Sequence, residues 1–315
     1  MGEMDILNTD SNPPNIQVAV RTLIIGGFTL EKASRYPGYA LIYMYRYDEF
    51  GVKQQYCFSL FEKDPEPEQI EAAAIASKHN KTELVIISSA KIHGMPNIEW
   101  NRFLNLFGGP VYSYSPLEPE FEDHLMRLSF NKLPTGLVGK PDDLFELYVH
   151  KALEFIFGCK VHRYGQERRF EARPDGVVLQ DRMFSALYDT KAYSNGYDVT
   201  LDSIRQFSSY ITEFRSRYDQ YYELHSFIVI SGSFPHSKDT LESRSRQLLS
   251  EANIPLAFMT AESVLQIIGL LSNFPSARRS INWRKIFVNP VIDPELVQAE
   301  LELIEKDKII ANNKG

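Results

Sequence analysis

The sequence predicts an α/β protein built from two halves, each a sheet covered by helices. Three observations lead there. Apolar strand-like runs alternate with segments of helical spacing along the chain. A stretch rich in proline and glycine, 115–140, holds Pro116, Pro119, Pro134, Gly136 and Gly139 and interrupts that alternation. The order hairpin, helix, strand, helix, strand in the first half recurs in part in the second. A chain of 315 residues is long for one core and natural for two. The expected division is an N-terminal α/β domain over 1–130 and a second domain over 131–315.

In chain order, 16–30 is apolar and open between strand and helix. Residues 39–47 and 52–61, rich in Tyr, Ile and Phe, read as a hairpin around the turn Asp48-Glu49-Phe50-Gly51. A helix is expected over 65–80. Pro65, Pro67 and the glutamates Glu66, Glu68 and Glu71 suit its positive end, and Lys78, His79 and Lys81 its negative end. Residues 83–88, ELVIIS, form a strand. A helix over 97–107 ends at Gly108-Gly109, and 110–114 form another strand. A short helix falls within 120–130.

The second domain opens with a helix over 141–157. Pro141, Asp142, Asp143 and Glu146 mark its start, Leu144, Leu147, Tyr148, Leu153 and Phe157 its apolar stripe, and Gly158 its stop. Strands are expected over 160–162, 176–180 and 186–193, then a helix over 201–221 and a strand over 226–231. Helix 240–252, strand 255–259 and helix 261–271 follow, with an amphipathic helix over 294–308. ELVIISS at 83–89 resembles SFIVISG at 226–232, and GPVYSYSPLE at 109–118 resembles IPLAFMTAES at 254–263. The first half is either a degenerate copy of the second or shares only the general look of α/β proteins.

Hydrophobic residues make up 43% and charged residues 24%, an ordinary globular balance with no run long enough to span a membrane. The polar, acidic start lacks the blocks of a signal peptide, and Cys57 and Cys159 are isolated, so a cytoplasmic setting with two buried thiols is expected. Net charge is −7. Residues 1–130 hold 11 Lys and Arg against 17 Asp and Glu; the remainder holds 23 against 24. The second half, with Arg163, Arg168, Arg169 and Arg173, is therefore the better surface for nucleic acid. The first half suits partner binding, dimerisation or target recognition. Seven histidines show no HxH or HExxH spacing, and no GxxxxGK[ST] loop occurs, so zinc chemistry and an ATP motor are not indicated.

Chemistry concentrates at Arg173-Pro174-Asp175-Gly176 and Tyr188-Asp189-Thr190-Lys191. The first is a turn entering a strand; the second lies within an apolar strand. Side chains alternate, so Asp189 and Lys191 share a face and Thr190 takes the other. Two ionised groups on a sheet's inner face are costly unless paired or metal-bound. Two carboxylates suit a hard Mg²⁺ ion, which prefers oxygen donors and keeps several waters. On an edge strand the same spacing would be only a surface ion pair, worth little.

The stretch RPDGVVL…YDTKAYSNGY resembles the PD-(D/E)xK nuclease signature and, within that superfamily, the FokI-type cleavage domain of type IIS restriction endonucleases. The resemblance spans about half the chain, 141–290. It implies a restriction-endonuclease-like mixed sheet and a metal-dependent deoxyribonuclease using Mg²⁺, with Mn²⁺ as a substitute. Asp175, Asp189 and Lys191 would be catalytic. Asp175, Asp189 and the Thr190 carbonyl would hold the metal, with Glu146 on the first helix as a further ligand or an exposed helix-start carboxylate. Gln206 and Tyr210, one helical turn apart, with Tyr193 and Arg173, would face DNA or serve as ordinary surface. Products would be a 5′-phosphate and a 3′-hydroxyl. One site cuts one strand, which implies a homodimer or a partner subunit. Type IIS enzymes carry a separate recognition region, and no helix-turn-helix or zinc finger is visible here. A restriction or anti-phage setting with a recognition partner is the expected context. The competing readings are a non-catalytic nuclease fold kept for binding or assembly, and a nuclease acting on RNA or DNA ends.

Overall fold

The computed structural model describes residues 14–47, 52–89, 91–92, 96–107, 117–164, 173–180 and 184–312. The chain divides into two compact units, Met1–Gly109 and Pro110–Gly315. The turn expected at 48–51, the stop at Gly108-Gly109, the strand at 110–114 and the arginines Arg168 and Arg169 lie outside the described residues.

The first unit opens with helix α1 (Ile16–Ile25), which settles the open reading of 16–30. The Asn15 side chain caps it by accepting from the Gln17 and Val18 N–H groups. Strand β1 (Thr29–Tyr36) follows, an element the sequence reading left unassigned. It is an edge strand carrying Glu31, Lys32 and Arg35, with a register shift between Leu30 and Lys32. Such charges hide a strand's apolar signal and also keep its open edge from pairing with other chains. The expected hairpin is β2 (Tyr39–Tyr47) and β3 (Lys53–Phe61), antiparallel throughout. Helix α2 (Pro67–His79) begins with a reciprocal Glu66–Gln69 capping box. Strand β4 (Glu83–Ser88) lies parallel to β3, and the two-residue strand β5 (Ile98–Glu99) leads into α3 (Trp100–Phe107). Sheet order is β1-β2-β3-β4-β5.

In the second unit, helix α4 (Phe121–Ser129) packs on α5 (Pro141–Phe157) and on α8 (Ala261–Asn273). It therefore belongs with the second unit, although the sequence reading placed it before a boundary at 130/131. Helix α5 ends where Gly158 adopts a left-handed conformation, φ 57°. Then come β6 (Val161–Arg163), β7 (Gly176–Gln180), β8 (Phe184–Lys191), α6 (Leu201–Tyr218), β9 (Ser226–Ser231), α7 (Lys238–Ala252) and β10 (Leu256–Thr260). Sheet order is β10-β9-β8-β7-β6; β6, β7 and β8 run antiparallel, while β8, β9 and β10 run parallel. Strand β8 stops at Lys191, so Tyr193 lies beyond the strand expected to hold it.

On one face, Tyr188, Ile228, Ile230, Ala257 and Met259 pack against α5 and α8. On the other, Phe207 of α6 stacks on Phe227 at 4.7 Å. Helix α9 (Trp283–Phe287), too short for a periodicity signal, seats Trp283 edge-on to Phe157 at 4.9 Å. Helix α10 (Pro294–Asn312) closes the chain. Cys57 and Cys159 are both buried free thiols, and no helix among the described residues is long and apolar enough to cross a membrane.

Candidate active site

Strand β8 is the central strand of its sheet, so its charged pair is not the surface pair of an edge strand. Asp189 and Lys191 share a face, and the Lys191 Nζ lies 2.6 Å from the Asp189 Oδ2. Asp189 is 2% exposed. Burial and the neighbouring Asp175 push its carboxyl up, against the pull of Lys191. For Lys191, burial pulls the ammonium down, but Asp189 and Asp175 outweigh it and hold it raised. The Ser231 hydroxyl, opposite Lys191 in the β8–β9 ladder, donates to the Lys191 carbonyl at 2.7 Å and fixes the strand's end.

Asp175 stands at the mouth of β7, across from this pair. Its Oδ2 accepts from the Thr190 N–H and from the Thr190 hydroxyl, each at 2.6 Å. The strand pairing that brings it there depends on Gly176, which faces Tyr188. A Cβ at Gly176 would collide with the His162 carbonyl oxygen and the Tyr188 ring. The glycine of RPDG is thus required by close strand approach.

Glu146 arrives from α5. Its Oε1 is buried and makes no hydrogen bond, with the Arg163 guanidinium 3.5 Å away as its charge partner. Burial, then Asp175, push its carboxyl up to about 7; Arg163 opposes, and Asp143 and Asp189 add to the rise. Three carboxylates therefore repel one another across the end of the sheet. The Arg163 contact leaves no local pattern in the sequence, because it pairs a helix with a separate strand.

The donor set, carboxylate oxygens of which two, Glu146 Oε1 and Asp189 Oδ2, are buried without a hydrogen bond, fits a hard divalent cation better than zinc. Among the described residues, however, no three His, Cys, Asp or Glu side chains are grouped so as to hold one ion. Asp175 is turned onto Thr190, which hydrogen-bonds it, and Asp189 onto Lys191, its ion-pair partner.

Aromatic residues surround the lysine. Lys191 Nζ lies 5.8 Å from the centroid of Tyr197, whose hydroxyl donates to Ser203 at 2.8 Å. Tyr193, 51% exposed, tilts against Tyr197 at 5.5 Å. Gln206 donates to the Tyr210 hydroxyl. Burial raises that hydroxyl's pKa, and the charges of Asp189 and Lys191 also act on it, so the α6 pair lies beside the site. Arg173 sits over the Tyr164 ring at 5.5 Å. The loop bearing both tyrosines is tied to the loop after β9: Tyr197 N–H donates to the Ser233 carbonyl at 2.9 Å, and His236 lies 2.7 Å from Asp198. Nothing in the sequence pointed to His236, whose partner is far along the chain.

The family model described as the FokI cleavage domain matches residues 112–289, more than half of the chain and every residue of this site named above. The chain belongs to that family. Residues 112–289 are thus a FokI-type nuclease-superfamily domain, and its sheet is the second one described above. Among solved structures, restriction endonuclease FokI is 18% identical, with a TM-score of 0.42, over 56% of this chain and 32% of that one. FokI bound to DNA is 18% identical, with a TM-score of 0.43, over 73% of this chain and 42% of that one. This chain spans less than half the length of either. No curated protein sequence matches it.

Proposed function

We propose that the protein is a divalent-metal-dependent DNA endonuclease of restriction type. The observation that carries this is the buried Asp189–Lys191 pair on the central strand with Asp175 tied to the intervening Thr190, inside the segment the family model matches. Asp175, Asp189 and the Thr190 carbonyl would hold Mg²⁺, or Mn²⁺ in its place, with Glu146 as a further ligand. The ion would supply phosphate charge neutralisation and a water of lowered pKa. Lys191 would orient the attacking water and stabilise charge developing on the phosphate, with positioning and electrostatics supplying most of the rate. Tyr197 would fix the lysine's direction. Tyr193, Arg173, Gln206 and Tyr210 would meet the DNA at the mouth of the site. Hydrolysis would leave a 5′-phosphate and a 3′-hydroxyl.

One such site cuts one strand, so a homodimer or a partner subunit would complete a double-strand break. A restriction or anti-phage system with a target-recognition partner is the context this suits. Covalently closed and linear DNA distinguish the reading from action on ends. With Mg²⁺, closed circles should be nicked and then linearised, and EDTA should stop both; degradation of linear DNA alone would overturn it.

A further inference from the structure

The two units repeat one another strand by strand. In each, an antiparallel trio is followed by two parallel strands, and sheet order follows chain order. Each trio is preceded by a helix, α1 or α5, that packs on the first strand and on the helix following the last strand, α3 or α8. Each third strand is followed by a helix, α2 or α6, and then by a parallel partner. The general look of α/β proteins does not account for so much shared order and sense.

The ladders allow a residue-by-residue comparison, anchored on ELVIIS of β4 and SFIVIS of β9. Tyr56 pairs with Glu83 as Ala186 pairs with Ser226, which places Ser59 at the position of Asp189. Two residues on, Phe61 stands where Lys191 stands. Ile42 faces Phe58 as Gly176 faces Tyr188, so Leu41 takes the position of Asp175. Leu41 and Phe61 are buried in one cluster with Tyr43, Cys57, Ala73 and Ile86. Ser59 is fully buried, and its hydroxyl has no hydrogen-bond partner, an isolated polar atom at the very point where the other unit holds its aspartate. Glu62 and Lys63 do not replace the missing groups, because both lie past the strand's end and are exposed.

We infer that the first unit is a second nuclease-type core whose metal site has become apolar core, so that the chain carries a single cleaving centre. This rests on the reading of Asp175, Asp189 and Lys191 given above. The loss is chemically complete: a leucine, an unpartnered serine and a phenylalanine offer neither two carboxylates for a cation nor an ammonium for water.

Titrating Mn²⁺ onto the full chain tests it, using wild type, Asp175→Asn/Asp189→Asn and Ser59→Ala, with a melting curve for each. The expected result is saturable Mn²⁺ binding by wild type and Ser59→Ala, and none by a folded double aspartate variant. Saturable binding retained by that variant, or lost in Ser59→Ala, would overturn the inference while leaving the second unit's site standing. No binding by wild type would instead remove the metal site itself, and the single-centre claim with it.

Discussion

Glu146 shows how the site's electrostatics reach stability. Its folded-state pKa is raised from 4.5 to about 7 by burial and neighbouring carboxylates. Below pH 4.5 both folded and unfolded chains hold the proton and nothing is at stake. Between 4.5 and about 7 the unfolded chain ionises first, so stability falls as pH rises, and the whole penalty is present above 7. Glu146→Gln should therefore raise stability at pH 8 by about 1–2 kcal/mol, less than the full linkage value because water screens the charge and the variant leaves Arg163 without this charge partner. At pH 4 the two proteins should melt alike. Thermal melts at both pH values check this, and a stabilisation that is equal at the two would contradict it. The meeting of Asp175 with the strand of Asp189 and Lys191 was legible because two short motifs carry it. The alternation rule also placed Asp189 and Lys191 on one face, as found. Arg163, Ser231 and His236 were not legible, since each reaches the site from a different part of the chain.

Among elements, the approach of β7 to β8 is the tightest constraint on the site. Gly176→Ala should force the strands apart and cost about 1–3 kcal/mol, because a backbone carbonyl cannot swing aside as a side chain can. Cleavage should fall further than stability does, since Asp175 would move off Thr190; chemical denaturation beside a cleavage assay separates the two effects. The loop of Tyr193 and Tyr197 offers a second case. Tyr197→Leu removes the ring beside Lys191 and the hydroxyl on Ser203, and should lower cleavage about tenfold with little loss of Mn²⁺ binding. Equal loss of both would mean that Tyr197 only supports the fold. Helix α5 and strands β7 and β9 were read with their observed bounds, because proline, acidic residues and glycine mark the first and unbroken apolar runs the others. Strand β1 was missed because its outward residues are charged, and α9 because five residues are fewer than two turns.

For the whole molecule, two α/β units were legible in the alternation of elements, and the boundary was displaced because α4 looks like part of a linker until its packing on α5 and α8 is seen. The repeat between units was visible only faintly in ELVIISS and SFIVISG; hydrogen-bonded register makes it explicit where sequence had drifted. A single centre per chain has a kinetic consequence. Nicked circles should appear at a rate proportional to protein concentration, while linear product should rise more steeply under the proposed pairing of two chains on one site. A linear-product rate strictly proportional to protein, from a proven monomer, would contradict this.

The most direct test of the account is cleavage of supercoiled plasmid in Mg²⁺ by wild type, Asp189→Ala and Lys191→Ala, each checked for folding. Wild type should cut, and both variants should fall by at least about a hundredfold. Equal cutting by all three would contradict it, because the chemistry would then lie outside the Asp189–Lys191 pair.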